Sequence, residues 1–160
     1  MKLLLPLLCM VLVGLPVALL AQDPAEDIRQ KLAGHWSIDK GSNQGSEVSP
    51  QKLEGNFAVI TPTVITTFDR EKKETYRASY TVDMRTSPVQ IDMTATRGGQ
   101  QVKALGILKF DWLNEDKKKE LVIAYSLDPK ERPTSFESAA GSSVMVFHMS
   151  ADPLSVPDEK

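Results

Sequence analysis

Cysteine is all but missing from this chain. The one it has, Cys9, lies inside the apolar stretch "LLLPLLCMVLVGLPVALL", residues 3–20. If that stretch is a removable leader, the rest of the chain has no thiol. A thiol nucleophile, a thiolate metal site and a disulfide framework are then excluded, and the exported domain is held by its core alone. Histidine is nearly as scarce, with only His35 and His148. Lys and Arg number 19 against 21 Asp and Glu, with no basic patch, so nucleic acid is not an expected partner. No long apolar run follows residue 20, and the body of the chain offers no membrane span.

The apolar stretch has the grammar of an export signal. Lys2 supplies a positive start, and Ala21 precedes the polar "QDPAED". Cleavage after Ala21 is the reading these residues favour. Pro6, Gly14 and Pro16 interrupt the run and no basic cluster follows it, which argues against a retained anchor. Leu8 stands before Cys9 where lipid attachment requires a small residue. The expected organisation is a signal peptide over 1–21, one domain over 22–150 and a flexible tail over 151–160. The expected location is the periplasm or the outside of the cell, without stable membrane insertion, and the expected state is a monomer.

A short helix is signposted at the start of the domain. Asp23 can cap it, Pro24 suits its first position, and Glu26 and Asp27 favour its positive end. Ile28 and Leu32 share a face, and Gly34 can end the helix, which predicts residues 24–33. The period then changes to two. "ETYRASYTVDM" sets Tyr76, Ala78, Tyr80, Val82 and Met84 on one side, and "VQIDMTAT" repeats the pattern with Val89, Ile91, Met93 and Ala95. Such alternation marks half-buried antiparallel strands. "QVKALGILKF", "ELVIAYS" and "SVMVFHM" are more apolar on both faces but rich in strand formers. "FAVITPTVITTF" predicts two strands bent near Pro62.

Charged or glycine-rich tips such as "DREKKE", "RGGQ" and "LDPKERP" separate these segments, as successive hairpins require. The fold class is therefore mostly β: an antiparallel up-and-down barrel of about eight strands after one helix, closed so that no edge is exposed. The stretch "DKGSNQGSEVSPQKLEGN" reads as a long loop, leaving strand pairing between Asp39 and Phe57 undefined.

Four stretches carry a resemblance: "LAGHWSI", "SPVQIDMT", "KALGIL" and "ERPTSFESAAGSSVMVFHM". From about Leu32 to Met149 the chain resembles a family of secreted, lipocalin-like domains of unknown function first described in planctomycetes. The resemblance implies a small lipocalin-like barrel and brings no activity with it. By the lipocalin analogy Trp36 closes the barrel floor, an arginine lies across its indole, and Arg132 is the candidate.

No constellation carries catalytic chemistry. Neither histidine sits in a metal-ligand spacing, although His35, His148 and Asp39 could converge if the first and last strands are neighbours. No serine lies in G-x-S-x-G, and Asp83 and Asp92 fall on the solvent side of the alternation. The expectation is a protein without cofactor, metal or catalytic site that carries a small apolar or amphipathic molecule. The candidate interior is Tyr76, Tyr80, Met84, Met93, Ala104 and Leu108, with small side chains leaving room and tyrosine hydroxyls offering a polar handle. The alternative is a barrel filled by interdigitation, serving as a protein-interaction module through the 40–56 loop and "LDPKERPTSF".

Overall fold

A computed structural model describes residues 24–111 and 119–151. The expected leader, its cleavage point, the Asp23 cap and most of the expected tail lie outside the described residues. In chain order the elements are α1 (Pro24–Leu32), β1 (Gly34–Asn43), β2 (Ser46–Glu47), α2 (Pro50–Leu53), β3 (Phe57–Ile60), β4 (Val64–Phe68), β5 (Glu74–Asp83), β6 (Val89–Arg97), β7 (Gln100–Asp111), β8 (Lys119–Ser126) and β9 (Val144–Ala151). All strands except β2 form a closed antiparallel barrel of 8 strands. From β3 onward each pairs with the next, while β1 bridges β3 and β9 to close the ring.

The tips follow from their residues. Pro62 lies in the turn between β3 and β4, whose register pairs Ile60 with Ile65. Gly98 and Gly99, with φ of 57° and 79°, join Arg97 directly to Gln100 across a two-residue turn. Positive φ at both central positions matches the right-handed twist of the flanking strands, and glycine adopts it without strain.

The ring closes through an irregularity in β1. Gly34 to Ser37 pair with β3, Ser37 to Asn43 pair with β9, and the register shifts between Ile38 and Lys40. The extra residue, Asp39, bends the strand from one neighbour toward the other, as bulges do. Much of the expected loop is therefore strand. Its polar residues conceal the pairing because the backbone makes it: Lys40 faces His148 and Gly41 faces Phe147. β2 then folds back on Ser42 and Asn43, and α2 follows. At the other terminus β9 reaches one residue into the expected tail, pairing Ala151 with Lys119.

Helix α1 covers one end of the barrel. The ion pair of Lys31 with Asp27 lies on its exposed side, that of Arg29 with Glu26 is part-buried within electrostatic reach of Tyr80, and Ile28 and Leu32 enter the interior cluster. Each buried aliphatic contributes about 1.5–3 kcal/mol by leaving water. The turns at 61–63 and 84–88 lie at this helix end. The turn at 69–73, the Gly98–Gly99 tip and the 127–143 segment lie at the opposite end, because an up-and-down barrel alternates its hairpins.

A second apolar cluster lies outside the wall. Ile107, Ala124 and Val146 are buried beneath Phe136, with Val122 and Val144 packed alongside. The 127–143 segment thus lies as a flap over β7, β8 and β9. This is why those strands are apolar on both faces: one face fills the lumen and the other is covered. Among the described residues no helix is long and apolar enough to cross a membrane.

Candidate functional site

Strand alternation aims one continuous set of side chains into the lumen, and all six candidate interior residues belong to it or pack against it. Their environments divide them. Met93, Ala104 and Leu108 belong to one buried cluster with Ile91, Leu121 and Trp36, each with at most 7% of its surface reachable by water. A void able to hold water would leave reachable area on its lining, so this part of the lumen is filled. These three residues pack the core and leave no room for a guest.

Tyr80 is committed to the fold. Its hydroxyl donates to the Thr61 carbonyl at 2.9 Å, and burial pushes its pKa up to about 12. Met84 lies in the turn after β5 at the helix end, half-buried against the core. Trp36 is 1% exposed, and its indole nitrogen donates to the Leu32 carbonyl at 2.8 Å, joining the first strand to the end of α1.

The end opposite the helix differs. Tyr76 and Ala95 retain partial exposure there, and Val102, the next inward position of β7, is 45% exposed. Tyr125 enters the lumen from β8, with its ring stacked 6.3 Å from that of Phe147. A Cβ at its register partner Gly106 would stand 2.7 Å from the Ala124 carbonyl oxygen and 3.1 Å from Tyr125 Cβ. Glycine therefore lets β7 and β8 close up where the Tyr125 ring turns inward.

Among the described residues, neither the Tyr76 nor the Tyr125 hydroxyl has a hydrogen-bond partner, and neither oxygen is sealed from water. Burial raises the pKa of both. Arg97 offsets part of the rise at Tyr76, and the proximity of Tyr76 adds to the rise at Tyr125. The two phenols reach into the lumen from strands three apart, within electrostatic range of each other, above a filled floor. The lumen is thus packed toward the helix, while at the far end Tyr76, Ala95 and Val102 keep surface open to water. Tyr125 was missed in the sequence because "ELVIAYS" lacks a clean period, although Leu121, Ile123 and Tyr125 do alternate.

The arginine expected over Trp36 is engaged elsewhere. Arg132 Nη1 donates to the carbonyls of Ile91 and Gly106, at 3.1 and 2.6 Å, and Nη2 pairs with the Asp92 carboxylate. Asp92 lies on the outer face between inward Ile91 and Met93, so the guanidinium clamps the flap to the outside of β6 and β7. The physical reason is position: Arg132 belongs to the flap, outside the wall, and the Trp36 indole is inside it.

The histidines do not converge. His35 stacks on Phe57 at 4.5 Å on the outer face, and His148 is exposed on the outside of β9. His35 and Asp39 share a cleft of about 310 Å³ with Ile38, Leu53, Asn56 and Phe57, outside the barrel beneath α2. Among the described residues no group of three metal-ligating side chains forms. Asp83 is held by Arg85, whose hydrogen bonds bring its pKa down to about 2. A scan of protein-family models found no match, and searches of curated proteins and of solved structures found none.

Proposed function

We propose that this is an exported, non-enzymatic binding protein that holds a small amphipathic molecule in the open end of its barrel. The observation that carries the reading is the pair of unpartnered phenols, Tyr76 and Tyr125, facing the lumen above a filled floor. Buried or half-buried hydroxyls are ordinarily bonded within the protein, as Tyr80 is, and two left open at one mouth are groups that a guest can satisfy. The apolar surface around them, Ala95, Val102 and Phe147, would take the rest of the molecule. Export is supported by the apolar leader-like stretch at residues 3–20.

Native mass spectrometry of the protein, purified from its exporting cell without detergent, tests this reading. A reproducible added mass, lost on unfolding and reduced in Tyr125→Phe, supports it. A clean protein mass, unchanged on titration with amphipathic small molecules, counts against it.

A second reading is favoured by the cleft beneath α2. This concavity lies outside the wall, between the reordered 40–56 segment and the exposed His35 ring, and suits a peptide side chain better than an enclosed guest. A protein partner that is lost on Leu53→Asp, with small-molecule binding absent throughout, would favour an interaction module.

A further inference from the structure

We infer that the guest of this cup is a compact organic carboxylate whose head is held by Arg97 with the Tyr76 and Tyr125 hydroxyls. The inference rests on the cup reading and adds the chemistry of the head group.

Arg97 ends β6 and continues the inward alternation of Ile91, Met93 and Ala95. Extending the β5–β6 register beyond Ser79↔Thr94 brings Arg97 opposite Tyr76. Among the described residues Arg97 makes no ion pair. The acid at this end of β5, Glu74, is turned instead to Arg77 at 2.7 Å. On the inward alternation at this end, Arg97 therefore stands without an ion pair among the described residues, and the Tyr76 and Tyr125 hydroxyls can donate beside it. Three donors on the inward faces at one end suit a head that only accepts, and a carboxylate is the planar acceptor that matches a guanidinium fork.

Depth limits the body of the guest. From Met93, in the filled layer, to Arg97 at the rim is four residues of β6. At about 3.3 Å each along a strand tilted about 40°, the cup is roughly 10 Å deep. A ring or a medium-length chain fits such a depth, and the tail of a long-chain lipid does not.

Calorimetric titration of the purified protein with octanoate, 1-octanol and octylammonium separates head from body, with Arg97→Gln and Arg97→Lys compared alongside. Octanoate should bind on the order of ten-fold tighter than octanol or octylammonium. Arg97→Gln should bring octanoate to within about two-fold of octanol while leaving octanol unchanged, and Arg97→Lys should retain part of the preference. Equal binding of octanoate and octanol, or an octanoate preference that survives Arg97→Gln, overturns the head-group inference while the cup stands. Failure of all three probes, or binding indifferent to Tyr76→Phe and Tyr125→Phe, overturns the cup reading as well.

Discussion

Arg132 makes two kinds of contact from one guanidinium, and a mutant pair can weigh them. Its bond to Asp92 joins a side chain that is 22% exposed to one that is 56% exposed. An ion pair this open is worth about 0–1 kcal/mol. Its other bonds go to the Ile91 and Gly106 carbonyls, which lie opposite each other in the β6–β7 ladder. A charged donor on a part-buried acceptor is worth about 1.5–3 kcal/mol, and the two share one nitrogen, so together they come to about 2–4. Arg132→Met keeps the apolar stem and should therefore cost about 2–4 kcal/mol, whereas Asp92→Ala should cost less than about 1. Urea unfolding followed by tryptophan fluorescence reads both, and amide exchange at Leu127, which bonds the Ser143 carbonyl across the flap, should accelerate only in the arginine variant. Salt should erode the small aspartate component and leave the larger one. Equal costs for the two substitutions would refute this reasoning, because the ion pair would then be what holds the flap down.

Trp36→Ala empties an indole site that is 1% exposed and removes its bond to Leu32, so unfolding stability should fall by about 3–5 kcal/mol, and an unchanged denaturation midpoint would sink the plug assignment. Ala104→Phe forces a ring into the filled layer against Met93 and should cost about 1–3 kcal/mol by overpacking; full stability in that variant would mean the layer holds a void. The tyrosines should separate in denaturant: Tyr80→Phe loses the Thr61 bond and costs about 1 kcal/mol, while Tyr125→Phe removes a hydroxyl with no protein partner and should be neutral or slightly stabilising. The pH dependence follows from Tyr80, whose folded pKa of about 12 exceeds its ordinary 10.0: this contribution is complete below pH 10, declines as pH rises through 12, and is missing from the alkaline limb of Tyr80→Phe. An identical alkaline limb in wild type and variant would argue against that shift.

The sequence made the barrel legible where chemistry and period coincide. β5 and β6 alternate cleanly because their outer faces meet water, and Gly98–Gly99 reads as a tight hairpin tip. Legibility failed where a strand serves two environments. β8 and β9 are apolar on both faces because the flap covers their outsides, so the inward set containing Tyr125 could not be told from the outward set. β1 failed for the opposite reason: Lys40, Ser42 and Asn43 say loop, and the bulge at Asp39 that makes them strand is a backbone event without a side-chain signature. Arg132 was recognised as a residue with structural work to do, but its partner could not be inferred, since backbone carbonyls of a distant ladder leave no trace in composition. At the cup, Tyr76 was visible through alternation. Tyr80, identical by the same criterion, is spent on Thr61, and only the position of a turn separates the two.

That separation divides the barrel by role. The floor takes its stability from residues with almost no reachable surface, from Trp36 tied to α1 and from a tyrosine whose hydroxyl is satisfied. The mouth keeps what a stability-optimised core would remove: two phenols without a partner among the described residues, an exposed Val102 and, on Arg97, a guanidinium that makes no ion pair among them. Each is tolerable because the filled layer beneath stabilises the same strands. Unsatisfied hydroxyls scattered through the barrel would read as imperfect packing. Two of them at one end, with Arg97 unpaired among the described residues and an apolar floor below, are groups that the proposed guest would satisfy.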